Sequence, residues 1–152
     1  MNIFTYGSLM FPSVLKAVTG REFAAKKARL KNFARFKVKG ESYPGLTPLK
    51  GAETEGLLYM GLDALSVKRL DDFEGELYER TEIPADPLEG ESLTAQTYAI
   101  KAQYRDRLSS EEWDPERFEK ADLIDFMASY RGFNQTDRSD PTDPSDQSVS
   151  SK

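Results

Sequence analysis

The 152-residue chain contains no cysteine and no histidine. Without cysteine there can be no disulfide, no thiolate nucleophile and no Cys-type zinc site. Without histidine the commonest general base is gone, and with it Ser-His-Asp hydrolysis and imidazole metal centres. Acid–base chemistry therefore falls to carboxylates, lysine or tyrosine. A carboxylate-only Mg²⁺ or Ca²⁺ site stays open in principle, but no EF-hand loop pattern occurs; no metal and no cofactor is expected. A basic excess is also lacking, with 21 Lys and Arg against 26 Asp and Glu. That argues against a general nucleic-acid partner, which needs a basic face to displace counterions. The one basic run, Lys26 to Lys39, reads as the solvated side of strands. No apolar stretch approaches membrane-spanning length, and the opening MNIFTYGSLM has no basic segment followed by a long apolar one. No membrane partner is expected, and the chain reads as cytoplasmic. The residues do not specify an oligomeric state.

What is present is ordinary for one globular domain, with 38% hydrophobic and 31% charged residues, enough to build a core. The domain is expected over 1–133. From Asn134 onward the only aliphatic residue is Val149 and there is no aromatic, so 134–152 reads as a disordered polar tail. Ile3–Tyr6 reads as a buried strand, and Pro12 opens a helix that stops at Thr19-Gly20. Phe23–Val38 reads as two strands with a turn near Lys31-Asn32, Gly40–Gly51 as a loop, and Glu53–Met60 as a strand with Leu58 and Met60 on one face and Leu57 and Tyr59 on the other. Asp63 caps a helix that ends at Gly75. Strands follow at Tyr78–Ile83, stopped by Pro84, and at Leu93–Ile100, with a turn-rich loop at Pro84–Glu91 between them. Asp114-Pro115 starts a last helix, whose stripe of Leu123, Phe126, Met127 and Tyr130 faces the core and which Gly132 closes.

Three segments carry candidate chemistry. In FTYGSLM, Phe4 to Met10, a strand ends in Tyr-Gly-Ser-Leu just before a helix. Gly7 permits close backbone approach or a positive φ, and the amides of Gly7, Ser8 and Leu9 can converge on an anion; a plain turn explains the same residues. In LDALSVKRLDDFEG, Glu74 follows Leu70 by four and Val67 by seven, so it projects from the apolar face of the helix. A carboxylate aimed inward is costly unless paired or used. The blander accounts are a frayed helix end or a salt bridge to Arg80 or Lys50. Asp71 and Asp72 project elsewhere and read as solvated. In Glu76–Arg80, Tyr78 and Arg80 share one strand face; each lines a pocket or, more simply, packs or pairs.

Taken together, these residues resemble the gamma-glutamylcyclotransferase-like family, in the branch of gamma-glutamylamine cyclotransferase and the avirulence-induced plant proteins. The likeness runs through Tyr6-Gly7-Ser8-Leu9, Tyr43-Pro44-Gly45-Leu46, Gly56-Leu57-Leu58-Tyr59 and Leu70-Asp71-Asp72-Phe73-Glu74-Gly75 followed by Tyr78-Glu79-Arg80. No one motif is specific; their order and spacing are. The resemblance implies an α+β fold, a small mixed β-barrel with flanking helices. It implies that Tyr6, Gly7, Ser8 and Leu9 bind a γ-glutamyl group, with Tyr78 nearby, and that Glu74 is the general acid–base residue. The implied partner is a small γ-glutamyl amine, amide or dipeptide, cyclised to 5-oxoproline with release of an amine. A non-catalytic metabolite-binding or sensor module on the same fold is the alternative. The segments Pro84–Glu91 and Tyr104–Trp113 are expected to shape the leaving-group side of the pocket.

Overall fold

The structure, a computed structural model, describes residues 1–128. The expected polar tail and the expected helix end at Tyr130–Gly132 lie outside them. The elements run β1 (Ile3–Thr5), a 3-10 turn (Ser8–Met10), α1 (Pro12–Thr19), β2 (Ala25–Val38), β3 (Pro44–Tyr59), α2 (Ala64–Glu74), β4 (Tyr78–Pro87), β5 (Leu93–Ile100), a second 3-10 segment (Ala102–Arg107), β6 (Leu108–Glu112) and α3 (Pro115–Ala121). Hydrogen-bonded strand order is β3-β1-β5-β4-β2-β6, and β2 also pairs with β3. That extra pairing closes β3, β1, β5, β4 and β2 into a five-stranded barrel and leaves β6 as a flap on β2. The barrel is mixed because β1 runs parallel to β5 and antiparallel to β3. Among the described residues no helix is long and apolar enough to cross a membrane.

Two apolar clusters explain the closure. The inner one takes residues from all five barrel strands, including Phe4, Leu30, Leu58, Ile83 and Ala95. The outer one packs α1 and α2 on the barrel wall through Ile3, Val14, Leu15, Tyr59, Val67 and Leu70. The strand period of two sorts neighbours between them: Ile3 faces out and Phe4 in, Tyr59 out and Leu58 in. Leu58 and Met60 share the inner cluster while Leu57 and Tyr59 join the outer one, as the sequence alternation indicates. At Gly56 the barrel is too tight for a side chain. A Cβ there would run into the backbone oxygen of Thr5 and the ring of Phe4.

Both helix caps on α2 form as expected. The Asp63 side chain accepts from the Ser66 amide at 3.2 Å, and Gly75 ends the helix at φ 77°. Because the cap fixes the start and the glycine the end, Glu74 is placed in the final turn. The last helix is broken where one continuous run is expected: α3 ends at Ala121, and helix resumes over 123–128 after Asp122. Met127 is buried in the outer cluster, with Leu123 and Phe126 packed against it.

Three expectations are corrected. Residues 25–38 form one strand, not two. Asn32 takes φ 67°, the register shifts between Lys31 and Phe33, and the Asn32 side chain accepts from the Gly51 amide at 3.0 Å. The expected turn is thus a bulge, in the left-handed conformation that asparagine tolerates. The expected loop 40–51 is largely strand, since β3 begins at Pro44 and pairs with β2 up to Lys37. Pro84 does not stop β4, which continues to Pro87. At Pro84 the strand has β5 on one side and meets β2 on the other only from Asp86, an edge position where a missing N–H is tolerated.

Gly56→Ala is expected to destabilise the fold by about 3 kcal/mol, because the obstructing atom is backbone. Urea unfolding of the variant, with the midpoint falling at unchanged slope, checks this.

Candidate functional site

Where β1 runs out, the chain turns sharply. The 3-10 turn closes with the Met10 amide donating to the Gly7 carbonyl at 2.9 Å, so the amides before Met10 head the turn and are not consumed by it. Side chains from elsewhere pin the turn. The Tyr59 hydroxyl donates to the Leu9 carbonyl at 3.0 Å, and Arg35 Nη1 to the Tyr6 carbonyl at 2.8 Å. Gly7 has φ −121°, so the positive φ that a glycine permits is not used. Proximity favours glycine instead: a Cβ would lie 3.1 Å from the Pro44 ring, a tight contact.

The turn forms one wall of a cavity of about 320 Å³. All six expected residues line it: Tyr6, Gly7, Ser8, Leu9, Glu74 and Tyr78. Glu74 arrives from the last turn of α2 and is half-buried. Tyr78 arrives from the first residue of β4, and its hydroxyl donates to the Pro44 carbonyl at 2.6 Å. The Tyr6 hydroxyl donates to the backbone oxygen of Tyr98. Tyr6 and Tyr78 therefore line the cavity with their hydroxyls committed to backbone acceptors. Arg80 does not line the cavity. Its guanidinium pairs with Asp71, Nε to Oδ1 at 3.0 Å and Nη2 to Oδ2 at 3.3 Å.

Asp71 is a correction. Expected to be solvated, it accepts the Tyr98 hydroxyl at 2.6 Å as well as the Arg80 fork. Tyr98 itself lines the cavity. No spacing rule flags this contact, because the partners come from α2 and β5, 27 residues apart. Pro84–Glu91 and Tyr104–Trp113, expected beside the leaving group, contribute no lining residue. The lining also includes Tyr43, Phe73, Glu76, Leu77 and Phe126. Phe126 was legible only as a core residue of a helical stripe.

Electrostatics divide the lining into donors and acids. Burial holds the phenols of Tyr6, Tyr78 and Tyr98 well above their ordinary pKa. The charge of Glu74 pushes all three the same way, and the hydrogen bond to Asp71 adds to the rise at Tyr98. These phenols stay protonated and cannot act as bases near neutrality. The lining carboxylates are Glu74 and the exposed Glu76, and among the described lining residues there is no Lys or Arg. Among the described residues no three metal-ligating side chains cluster to hold an ion.

A closed mixed barrel with flanking helices is the fold of a known group. The family described as "Gamma-glutamyl cyclotransferase, AIG2-like" matches residues 3–115; the chain belongs to this family. AIG2-like protein C of Arabidopsis thaliana is 30% identical over 138 residues, covering 90% of this chain and 80% of that protein. AIG2-like protein A of the same plant is 35% identical over 82 residues, 54% of this chain and 50% of its own length, so the chain spans about half of that relative. An Arabidopsis thaliana protein solved in solution superposes with TM-score 0.67 at 25% identity, covering 92% of this chain and 84% of that one. A solved gamma-glutamyl cyclotransferase superposes with TM-score 0.61 at 16% identity, covering 97% and 92%, a likeness of fold.

Two outcomes follow from the site's wiring. Asp71→Ala is expected to cost about 1 kcal/mol, since the ion pair is partly exposed and the Tyr98 hydroxyl loses its acceptor. A double-mutant cycle with Tyr98→Phe should show coupling between the two positions. The buried phenols also set an alkaline limit. Their folded pKa values lie above the unfolded value of about 10, so the stability they contribute is complete below pH 10 and is lost as pH climbs above it. Phenolate absorbance should therefore appear late and together with loss of tertiary structure, while early titration of all seven tyrosines would contradict the burial.

Proposed function

We propose that the protein cyclises a γ-glutamyl amide to 5-oxoproline and releases the amine, with Glu74 carrying the proton. The observation that supports this is the meeting of Glu74 and the Tyr6–Leu9 turn on one cavity. In this reading the substrate supplies its own nucleophile, the α-amine, which attacks the γ-carbonyl carbon. No protein thiol or imidazole is needed, in keeping with a chain that has neither. Folding the substrate so that amine and carbonyl meet is worth on the order of 7 kcal/mol. Aromatic walls from Tyr6, Tyr78 and Tyr98 restrict the conformations it can take.

The α-amine arrives protonated and must lose a proton to attack. Glu74 takes that proton and returns it to the leaving nitrogen as the amide bond breaks. The amides heading the 3-10 turn are placed to hold the substrate's α-carboxylate or the developing oxyanion. Protonated phenols around the cavity do not compete for the proton.

Glu74→Gln keeps size and hydrogen bonding but cannot carry the proton. It is expected to lower release of 5-oxoproline from a γ-glutamyl amide by about a hundredfold or more, with circular dichroism unchanged. Full activity in that variant would sink the assignment. Tight binding of 5-oxoproline by a wild-type protein that turns over no γ-glutamyl compound would favour the sensor reading instead.

A further inference from the structure

A partly buried cation stands behind the glycine turn without lining the cavity. Arg35 Nη1 donates to the Tyr6 carbonyl at 2.8 Å and to the Glu55 carbonyl at 3.1 Å. Its guanidinium carbon lies 5.5 Å from the centre of the Trp113 ring, and Trp113 is itself held by donating Nε1 to the Ser42 carbonyl at 2.7 Å. Burial pulls the pKa of Arg35 below its ordinary value, and the charges of Asp114, Glu112 and Glu55 push it back up. Among the described residues none of these acids forms an ion pair with it. A guanidinium keeps its charge at neutral pH, and here that charge bears on the backbone of the turn. The carbonyl that Arg35 holds belongs to the Tyr6–Gly7 peptide. No described peptide bond is cis, so the N–H of this unit points opposite to its carbonyl. The Gly7 amide therefore faces away from Arg35, and Gly7 lines the cavity. Among the described residues no backbone acceptor takes that amide.

We propose that Arg35 is a positioning residue of this cavity: from behind the turn it fixes and polarises the Tyr6–Gly7 peptide, so that the Gly7 amide receives a ligand carboxylate with which Arg35 makes no contact. The inference rests on the reading above in which the turn holds the substrate's α-carboxylate. A cation on the carbonyl oxygen draws electron density along the conjugated C–N bond and makes the N–H a stronger donor. The need for such help is visible in the lining. It has no Lys or Arg and two glutamates, Glu74 and Glu76, so a carboxylate entering it meets charges of its own sign. In a cavity of low polarity that repulsion is strong unless an opposite charge offsets it. Arg35 supplies the opposite charge through one peptide unit, while the Trp113 ring behind it keeps the guanidinium against the carbonyl. A guanidinium inside the cavity could itself bind the anion; one behind the turn acts only through the amide it orients.

Two ligands of one shape test this. 5-Oxoproline and its carboxamide, 5-oxoprolinamide, share the lactam ring and differ in charge. Calorimetric titration of the native protein is expected to show a preference for the acid. Arg35→Gln keeps a donor for the Tyr6 carbonyl and removes the charge. It should cut the acid-over-amide preference about tenfold, with affinity for the amide within about twofold of native. Arg35→Lys, which keeps a cation, should retain most of the preference. In turnover of γ-glutamyl-methylamide, Arg35→Gln should raise KM about tenfold and leave kcat within about twofold. An unchanged preference in Arg35→Gln overturns the inference. So does equal weakening of both ligands, the mark of a purely structural role, and so does a fall in kcat at native KM, which would put the charge to work on the oxyanion. If Arg35→Gln fails to fold, Arg35→Lys and the Gly7 amide proton decide. That proton should move downfield when the acid binds, and not when the amide does, in both the native and the Lys proteins; absence of the acid-specific shift overturns the inference. An acid preference that depends on Arg35, in a protein that turns over no γ-glutamyl compound, removes the cyclotransferase reading and keeps this inference. Turnover without any preference for the acid does the reverse.

Discussion

Tyr98 bridges the two walls of the cavity. Its backbone oxygen takes the hydroxyl of Tyr6, at the mouth of the glycine turn, and its own hydroxyl goes to Asp71 on α2, three residues before Glu74. The turn and the glutamate come from segments far apart in sequence and on different layers of the fold. A residue of β5 that holds both fixes their separation. Arg80, from β4, grips the same Asp71 through two nitrogens and keeps its carboxylate oriented toward Tyr98. The Tyr6 side chain and the last turn of α2, which carries Glu74, are thereby tied to one strand.

The barrel makes the bridge possible because its wall is apolar on both faces. A strand that buries one face alternates apolar and polar residues; β1 buries Ile3, Phe4 and Thr5 in succession. Its outward residues seat α1 and α2, and its inward ones fill the barrel. Gly56 lets β3 come against β1 without a side chain between them, which brings the end of β1, and hence the turn, to its place over the barrel rim. Thr5 and Thr97 complete the seam by donating their hydroxyls to the carbonyls of Leu57 and Phe4 at 2.7 and 2.9 Å. Buried hydroxyls are thereby satisfied, and they register the strands that carry the site.

What the sequence makes legible follows from how local each cause is. The caps of α2, the Pro12 start and Gly20 stop of α1, the start of β1 and the limits of β5 depend on neighbours a few residues away, and they read off directly. The Glu74 position follows from helical spacing alone. By contrast, the β2–β3 hairpin looks like two strands and a loop, because Asn32 and Gly51 carry turn chemistry that here serves a bulge inside a continuous ladder. Pro84 carries a stop signal that an edge position overrides. β6 has the polar sequence Leu-Ser-Ser-Glu-Glu and is held by pairing with β2, a cause invisible to periodicity. Asp71 reads as solvated since its partners, Tyr98 and Arg80, are brought to it by the sheet. The candidate site is thus legible wherever one element places a residue, and illegible wherever two elements must meet.

The composition of the cavity and the composition of the chain argue in one direction. Phenols that are buried, protonated and bound to backbone or carboxylate acceptors cannot exchange protons at neutral pH. With histidine and cysteine missing throughout and no lysine on the described lining, the groups left there to carry a proton at neutral pH are carboxylates. Glu74, half-buried, stands on the same wall as Phe73 and Tyr78, whereas Glu76 is exposed. A reaction whose nucleophile belongs to the substrate asks a protein for little more than a shaped apolar space, donors for one carboxylate and a single proton carrier. The proposed reading draws on those resources at the barrel rim, whereas hydrolysis through a covalent enzyme intermediate would ask for a nucleophile and base pair that a chain without cysteine or histidine makes hard to assemble.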